Sequence, residues 1–206
     1  IIIGEQEWMA SNLRVTHYRD GTAISYPDED DQVWALDRDG AYAWYDNDEA
    51  VHKNPYGALY NWYAVSHPSG LCPTGWRIPT KEDFEQLIRY VNPETPIEEN
   101  KAGIALKSCR QVDSPAGGFC DTEAHPRWLA HHPANGQDAL GFSAMPGGYR
   151  TALGSFVHQG SQASFWTGTS DHATLATQLY LNNYEEKAGF LDGGKNQGLS
   201  VRCIRE

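Results

Sequence analysis

No run of apolar residues in this chain is long enough to cross a bilayer, and no basic stripe is present. Its 16 Lys and Arg are outnumbered by 27 Asp and Glu, for a formal net charge of -11. That balance argues against a nucleic-acid partner and against docking on anionic lipid. Phosphate-cradling loops of the G-x-x-x-x-G-K-[ST] and G-x-G-x-x-G kinds are missing, as are a G-x-S-x-G elbow and an H-E-x-x-H helix. Ser170, Asp171 and His172 are adjacent in sequence, unlike the members of a nucleophilic triad. His125, His131 and His132 lie in a proline-broken stretch, "HPRWLAHHP", which reads as a loop and not as a metal cluster. No two carboxylates are placed by sequence across a sugar bond. The expectation is a protein that is not an enzyme, with no catalytic or metal-ligating set.

Cysteine is sparse. The four, Cys72, Cys109, Cys120 and Cys203, are even in number, widely spaced and free of C-x-x-C, which fits disulfides better than zinc. Cys109 and Cys120 bracket "RQVDSPAGGF", a Pro/Gly loop whose closure is worth roughly 3 kcal/mol in the chain-entropy picture. Cys72 and Cys203 would then tie the middle of the chain to its end. Such bridges imply an oxidising compartment, hence an extracellular or cell-surface location; four reduced thiols in a cytosolic protein are the alternative. Because "IIIGEQEWMASNL" opens in mid-strand, an upstream segment carrying an export signal is expected to have been trimmed.

What is abundant is acid and aromatic surface. Asp28, Glu29, Asp30 and Asp31 run together, followed by Asp46, Asp48 and Glu49. Two solvated loops are the plain reading; an oxygen-rich calcium site is the sharper one, although neither run has EF-hand spacing. Seven Trp, eleven Tyr and six Phe make up 12% of 206 residues, which suits a loop-rich core or a recognition surface for sugars or proteins. Trp8, Trp44, Trp62, Trp76 and Trp166 are assigned to the core.

One stretch reads firmly as a helix. In "PTKEDFEQLIRYVNP" Thr80 caps, Asp83 sits third, and Phe84, Leu87, Ile88 and Val91 share a face until Pro93 stops it. "GALYNWYAV" suits a second helix, with Leu59, Trp62 and Tyr63 on one side, or a strand. "LRVTHY" and "TAISY" flank Asp20-Gly21 in a near-hairpin pattern. "TQLYLNN" alternates, placing Leu179 and Leu181 inward and Gln178, Tyr180 and Asn182 outward. "LDGGKNQG" reads as a turn cluster and "LSVRCI" as a closing strand. Residues 93–140 read as loop. With no repeat and no linker, the expectation is one domain over 1–206.

The segments "IGEQEWMASNLRVTHYRDGTAI", "YDNDEAVHKNPYGALYNWYAV", "GLCPTGWRIPTKEDFEQL", "GFSAMPGGYR", "FWTGTSD" and "SVRCIRE" together resemble the Fibrobacter succinogenes major paralogous domain family. They stand in family order, and most of the unmatched sequence falls in 93–135, which suggests a local loop-rich addition. The resemblance implies an α+β, C-type-lectin-like fold related to the formylglycine-generating enzymes, with two helices, a twisted antiparallel sheet and long loops. It also implies a Cys72–Cys203 bond between a helix-proximal cysteine and the last strand, and an exported protein, often a lipoprotein. The enzymes of that group hold copper on a late cysteine pair; here the last third holds only Cys203.

Relatives diversified by retroelements vary in C-terminal loops and strands, corresponding here to 161–199. Trp166-Thr167-Gly168-Thr169-Ser170-Asp171 and Thr177 depart from the family pattern within that zone. The candidate ligand-binding residues are therefore His172, Thr174, Gln178, Tyr180, Asn182, Asn183, Tyr184, Lys187, Asn196 and Gln197, a mix of Tyr, Asn and small polar groups suited to adaptable contacts. The expected partner is a protein or a glycan. A structural or adhesion module of a surface filament is the alternative, and a carbohydrate-binding accessory module the third.

Overall fold

Short helices and strands alternate with irregular segments in the computed structural model, which describes residues 1–206. The architecture is α+β. Five α-helices are present: α1 (Asp31–Leu36), α2 (Glu49–Tyr56), α3 (Trp62–Val65), α4 (Lys81–Val91) and α5 (Ala102–Leu106). The strands are β1 (Ile2–Ile3), β2 (Gln6–Glu7), β3 (Tyr42–Ala43), β4 (Leu59–Tyr60), β5 (Trp76–Arg77), β6 (Gly147–Arg150), β7 (Phe156–Gln159), β8 (Gln162–Trp166), β9 (Leu175–Asn182), β10 (Ala188–Gly194) and β11 (Ile204–Arg205). The main sheet has the order β10-β9-β8-β6-β7. It is mixed and not wholly antiparallel as expected, because β6 and β8 run parallel.

α4 forms where the sequence places it, and its start is fixed three ways. The Thr80 hydroxyl accepts from the Asp83 amide, the Asp83 carboxylate accepts from the Thr80 amide, and Arg77 donates to that carboxylate at 2.5 and 2.8 Å. The acidic runs are not loose loops. Asp30 caps α1 by accepting from the Val33 amide, and Asp48 caps α2 by accepting from the Val51 amide. Asp31 meets the Arg150 guanidinium at 2.9 Å, and Glu49 meets Lys53 at 2.6 Å. No three His, Cys, Asp or Glu side chains are grouped as a metal-ligand set.

Four further readings are refined or corrected. "GALYNWYAV" is neither one helix nor one strand: β4 pairs with β3, then Asn61 caps the four-residue α3 through the Ala64 amide. The two-helix expectation also missed α2, which carries Pro55 within it and closes on Gly57. "LDGG" belongs to β10, paired residue by residue with β9 as far as Gly194↔Leu175, so the turn begins at Lys195. The Asp20-Gly21 hairpin is present but narrowed to one bridge, His17↔Ala23, because Leu13 leaves to bond Val201.

The sheet separates two cores. Ala163, Phe165, Leu179, Leu181 and Ala188 pack with Phe84, Leu87, Ile88, Trp8 and Phe142 on the α4 side. Trp166 and Ala176 point the other way, into Trp44, Tyr60, Val65, Leu199 and Val201. Trp8, Trp44 and Trp166 are fully buried as expected, as are Trp34 and Trp128; Trp62 and Trp76 are half-buried. The bridges are Cys72–Cys203 and Cys109–Cys120.

The 93–140 stretch contains α5 and a buried lysine. Lys107 Nζ donates to the carbonyls of Ala134, Asn182 and Glu185 at 2.5, 2.7 and 2.9 Å, tying that stretch to the β9–β10 turn. Burial pulls its pKa down to about 8, opposed by Glu185 and Glu186 nearby. Between pH 8 and the unfolded-chain value near 10.4, the unfolded state binds more protons, so this group makes stability rise with pH.

Two outcomes follow from this packing. Leu179→Ala, which opens a cavity in the α4-side core, should cost about 2–5 kcal/mol in denaturant unfolding. Lys107→Met should destabilise by about 2 kcal/mol or more at pH 7, as three carbonyls lose their donor. The deficit should widen from pH 8 to pH 10, by about 1.4 kcal/mol per pH unit at most. A pH-independent gap would show that Lys107 titrates normally.

Candidate recognition face

The ten sequence-derived candidates all lie on or beside the β9–β10 hairpin, but the structure sorts them into two groups. At the open end stand His172, Thr174, Gln178, Asn196 and Gln197. At the turn stand Asn182, Asn183, Tyr184 and Lys187. Along β9, Gln178 and Asn182 are four residues apart at about 3.4 Å each, so the nearest members of the two groups are roughly 14 Å apart. Tyr180 lies between them. The ten candidates therefore do not form one continuous surface.

The outward orientation expected for three strand residues also needs correction. Gln178 is only 3% exposed and Asn182 only 8%. Alternation correctly puts them opposite Leu179 and Leu181, but that second face is covered as well. Gln178 sits against Gly193, where an added Cβ would come within 2.3 Å of its Nε2, and the same Cβ would come 3.4 Å from the Trp166 ring. Tyr180 is half-buried, with its ring over Gly189 of the neighbouring strand.

The turn-end group is tied to the 93–140 stretch. Asn183 Nδ2 donates to the Leu129 carbonyl at 3.2 Å. Asn182 Nδ2 reaches the Tyr184 hydroxyl at 3.3 Å and Glu185 at 3.4 Å. Tyr184 is 57% exposed and meets His131 edge-on.

The open end is built more elaborately. Lys195 is buried; its Nζ donates to the His172 carbonyl at 2.9 Å and lies 4.3 Å from the centre of the Trp62 ring. Its amide bonds the Thr174 carbonyl, so the loop before β9 is clamped to the turn after β10. Asp192 accepts from the Thr177 hydroxyl at 2.9 Å, and its other oxygen stands 3.9 Å from His172 Nε2. Asn196 Nδ2 donates to the Ala35 carbonyl, which joins α1 to this end. Gln197 Oε1 is buried and has no hydrogen-bond partner.

His172 and Thr174 are left exposed on this scaffold. Trp62, Thr177, Asp192 and Lys195 support them, and the sequence reading did not single these four out as a group. They lie on three separate stretches; only the Thr177 departure from the family pattern hinted at the place. Ser170 Oγ lies 2.8 Å from the Leu175 carbonyl and 3.1 Å from that of His172, so its one proton is held by backbone and not presented to the His172 ring. The arrangement offers fixed donors, acceptors and a flat aromatic edge for non-covalent contact.

No helix of the protein is long and apolar enough to cross a membrane, and two disulfides are typical of extracellular proteins. No curated protein and no solved structure matches the chain. The family model of the Fibrobacter succinogenes major domain matches residues 1–205. On that match, spanning nearly every residue whose packing is described above, the chain belongs to the Fibrobacter succinogenes major domain family.

Proposed function

We propose that this is an exported, cell-surface or secreted ligand-binding domain of C-type-lectin-like architecture, which recognises a protein or glycan through the open end of the β9–β10 hairpin. The observation that carries this reading is the division of labour at that end. Lys195, Trp62, Asp192 and Thr177 hold the loops, while His172 and Thr174 stand free of the core. Such a rigid frame with adaptable polar tips lowers the ordering cost of binding. The C-type-lectin-like assignment is supported by the bond from Cys72, just before α4, to Cys203 beside the last strand. Binding without turnover is supported by the engagement of the Ser170 hydroxyl with backbone carbonyls.

Retroelement diversification is the finer form of the same proposal. It requires that substitutions among sibling copies gather at His172, Thr174, Asn196 and Gln197 and spare Trp62, Asp192 and Lys195. Amplicon sequencing of the locus within one bacterial population reads this directly; an even spread of substitutions would remove the diversification reading.

The binding face is tested with a glycan array and a panel of immobilised extracellular proteins. His172→Ala and Thr174→Ala should each weaken a hit by about 1–2 kcal/mol, while unfolding midpoints stay within about 0.5 kcal/mol of the parent. Tyr184→Ala and Lys187→Ala should leave binding unchanged. The reverse pattern would move the site to the turn end, and a domain that binds nothing on either panel would favour the filament-module reading.

A further inference from the structure

We propose that the cavity beside the Cys109–Cys120 bridge is a second binding site, shaped for a small organic monocarboxylate with an apolar body. It does not rest on the hairpin reading and lies on different elements. The cavity has a volume of about 370 Å³, and its walls come from Ala10–Asn12, from the C-terminal end of α2, from the bridged loop and from Arg202. That volume is at the small end of the range for pockets that hold small molecules.

Two guanidinium groups line it, and both have only neutral partners. Arg202 is fully buried; its Nε and Nη2 donate to Asn12 Oδ1 at 3.1 and 2.6 Å, and its Nη1 to the Phe142 carbonyl. Arg110 donates to the carbonyls of Pro126 and Ala124 at 2.6 and 3.2 Å. Neither guanidinium forms an ion pair. Asp138 is the acid whose charge Arg202 feels, and its carboxylate already accepts from the amide and hydroxyl of Ser143. One buried and one half-buried guanidinium, neither in contact with a carboxylate, leave positive charge at this cavity that a bound anion would neutralise. The planar arginine fork suits a carboxylate in particular.

The surroundings select the rest of the ligand. Tyr56, Met145 and Pro55 supply apolar wall, and Phe119, 77% exposed, stands at the rim with its ring 4.5 Å from the Arg110 guanidinium. α2 ends at this cavity and directs its partial negative charge toward it, a repulsion that the two guanidinium groups offset more readily for a single carboxylate than for a multiply charged anion. Arg110 and Phe119 each adjoin one half of the bridge. The disulfide therefore fixes the distance between the charged contact and the aromatic one.

The test is an NMR titration of the ¹⁵N-labelled protein, read at the arginine Nε–H groups and at backbone amides around Phe119. Phenylacetate is the probe, with phenylacetamide and inorganic phosphate as controls. Phenylacetate should give saturable shifts at Arg110 and Arg202 with a dissociation constant in the low-millimolar range or tighter, about what ten non-hydrogen atoms support. Both controls should bind at least about tenfold more weakly. Phe119→Ala, a substitution at an exposed side chain, should weaken binding several-fold with an unchanged unfolding midpoint. The Cys109→Ser/Cys120→Ser double variant should do the same while the Cys72–Cys203 core stays folded. The proposal is overturned if phenylacetate gives no saturable shift up to about 50 mM, if the amide or phosphate binds as well, or if Phe119→Ala leaves affinity unchanged.

Discussion

Residues Gly198–Arg205 run through the middle of the protein and are bonded to segments from the N-terminal, central and late parts of the chain. Gly198 exchanges backbone hydrogen bonds with Arg150, and Leu199 does the same with Tyr60. Ser200 joins β8, Val201 accepts from Leu13, Cys203 accepts from Met9, and β11 pairs with β5. A buried backbone must find all its partners inside the protein, and this one finds them on six different segments. The side chains repeat the pattern: Arg202 holds Asn12 and Phe142, and Cys203 holds Cys72. Leu199 and Val201 have no exposed surface at all. The two cores on either side of the sheet depend on this one strand-like spine, because it holds the N-terminal and central segments against the main sheet.

What was legible in the sequence was what depends on neighbouring residues. α4 was readable because its cap, its acidic first turn and its apolar face lie within a dozen positions. The alternation in β9 was readable for the same reason. Whether both faces of that strand are covered was not, because the cover over Gln178 comes from Trp166 and the turn after β10. The acidic runs hid two caps, since a capping Asp is recognisable only when the helix after it is recognisable, and α1 and α2 are short. "LDGG" looked like a turn on glycine content alone. Its glycines fit a strand because Tyr180 lies over Gly189, and Gln178 and Gln197 flank Gly193. The Cys72–Cys203 pairing was carried by the family resemblance, and the structure has it.

The hairpin illustrates how a single stretch of sequence can be split by geometry. Candidates that look continuous between residues 172 and 197 are divided along the length of a paired hairpin. The turn end leans on Leu129 and His131 and is tied below by Lys107, whereas the open end is clamped by Lys195. Each end therefore has its own mechanical support. A change in one need not disturb the other, which leaves the exposed tips free to differ in chemistry over a constant frame.

The position of the spine along the chain also sets an order of events. Asn12 meets Ser200 and Arg202 across separations of 188 and 190 residues, so these contacts form only when the far end of the described chain is available. During synthesis the earlier segments leave the ribosome before the strand that joins them exists, and contacts of such range close slowly. Trp8, Trp44 and the cysteine at position 72 must wait with their final neighbours missing. In a polypeptide with this layout the segment made last is the one that closes the core, so the earlier segments gain their final packing only once it has arrived.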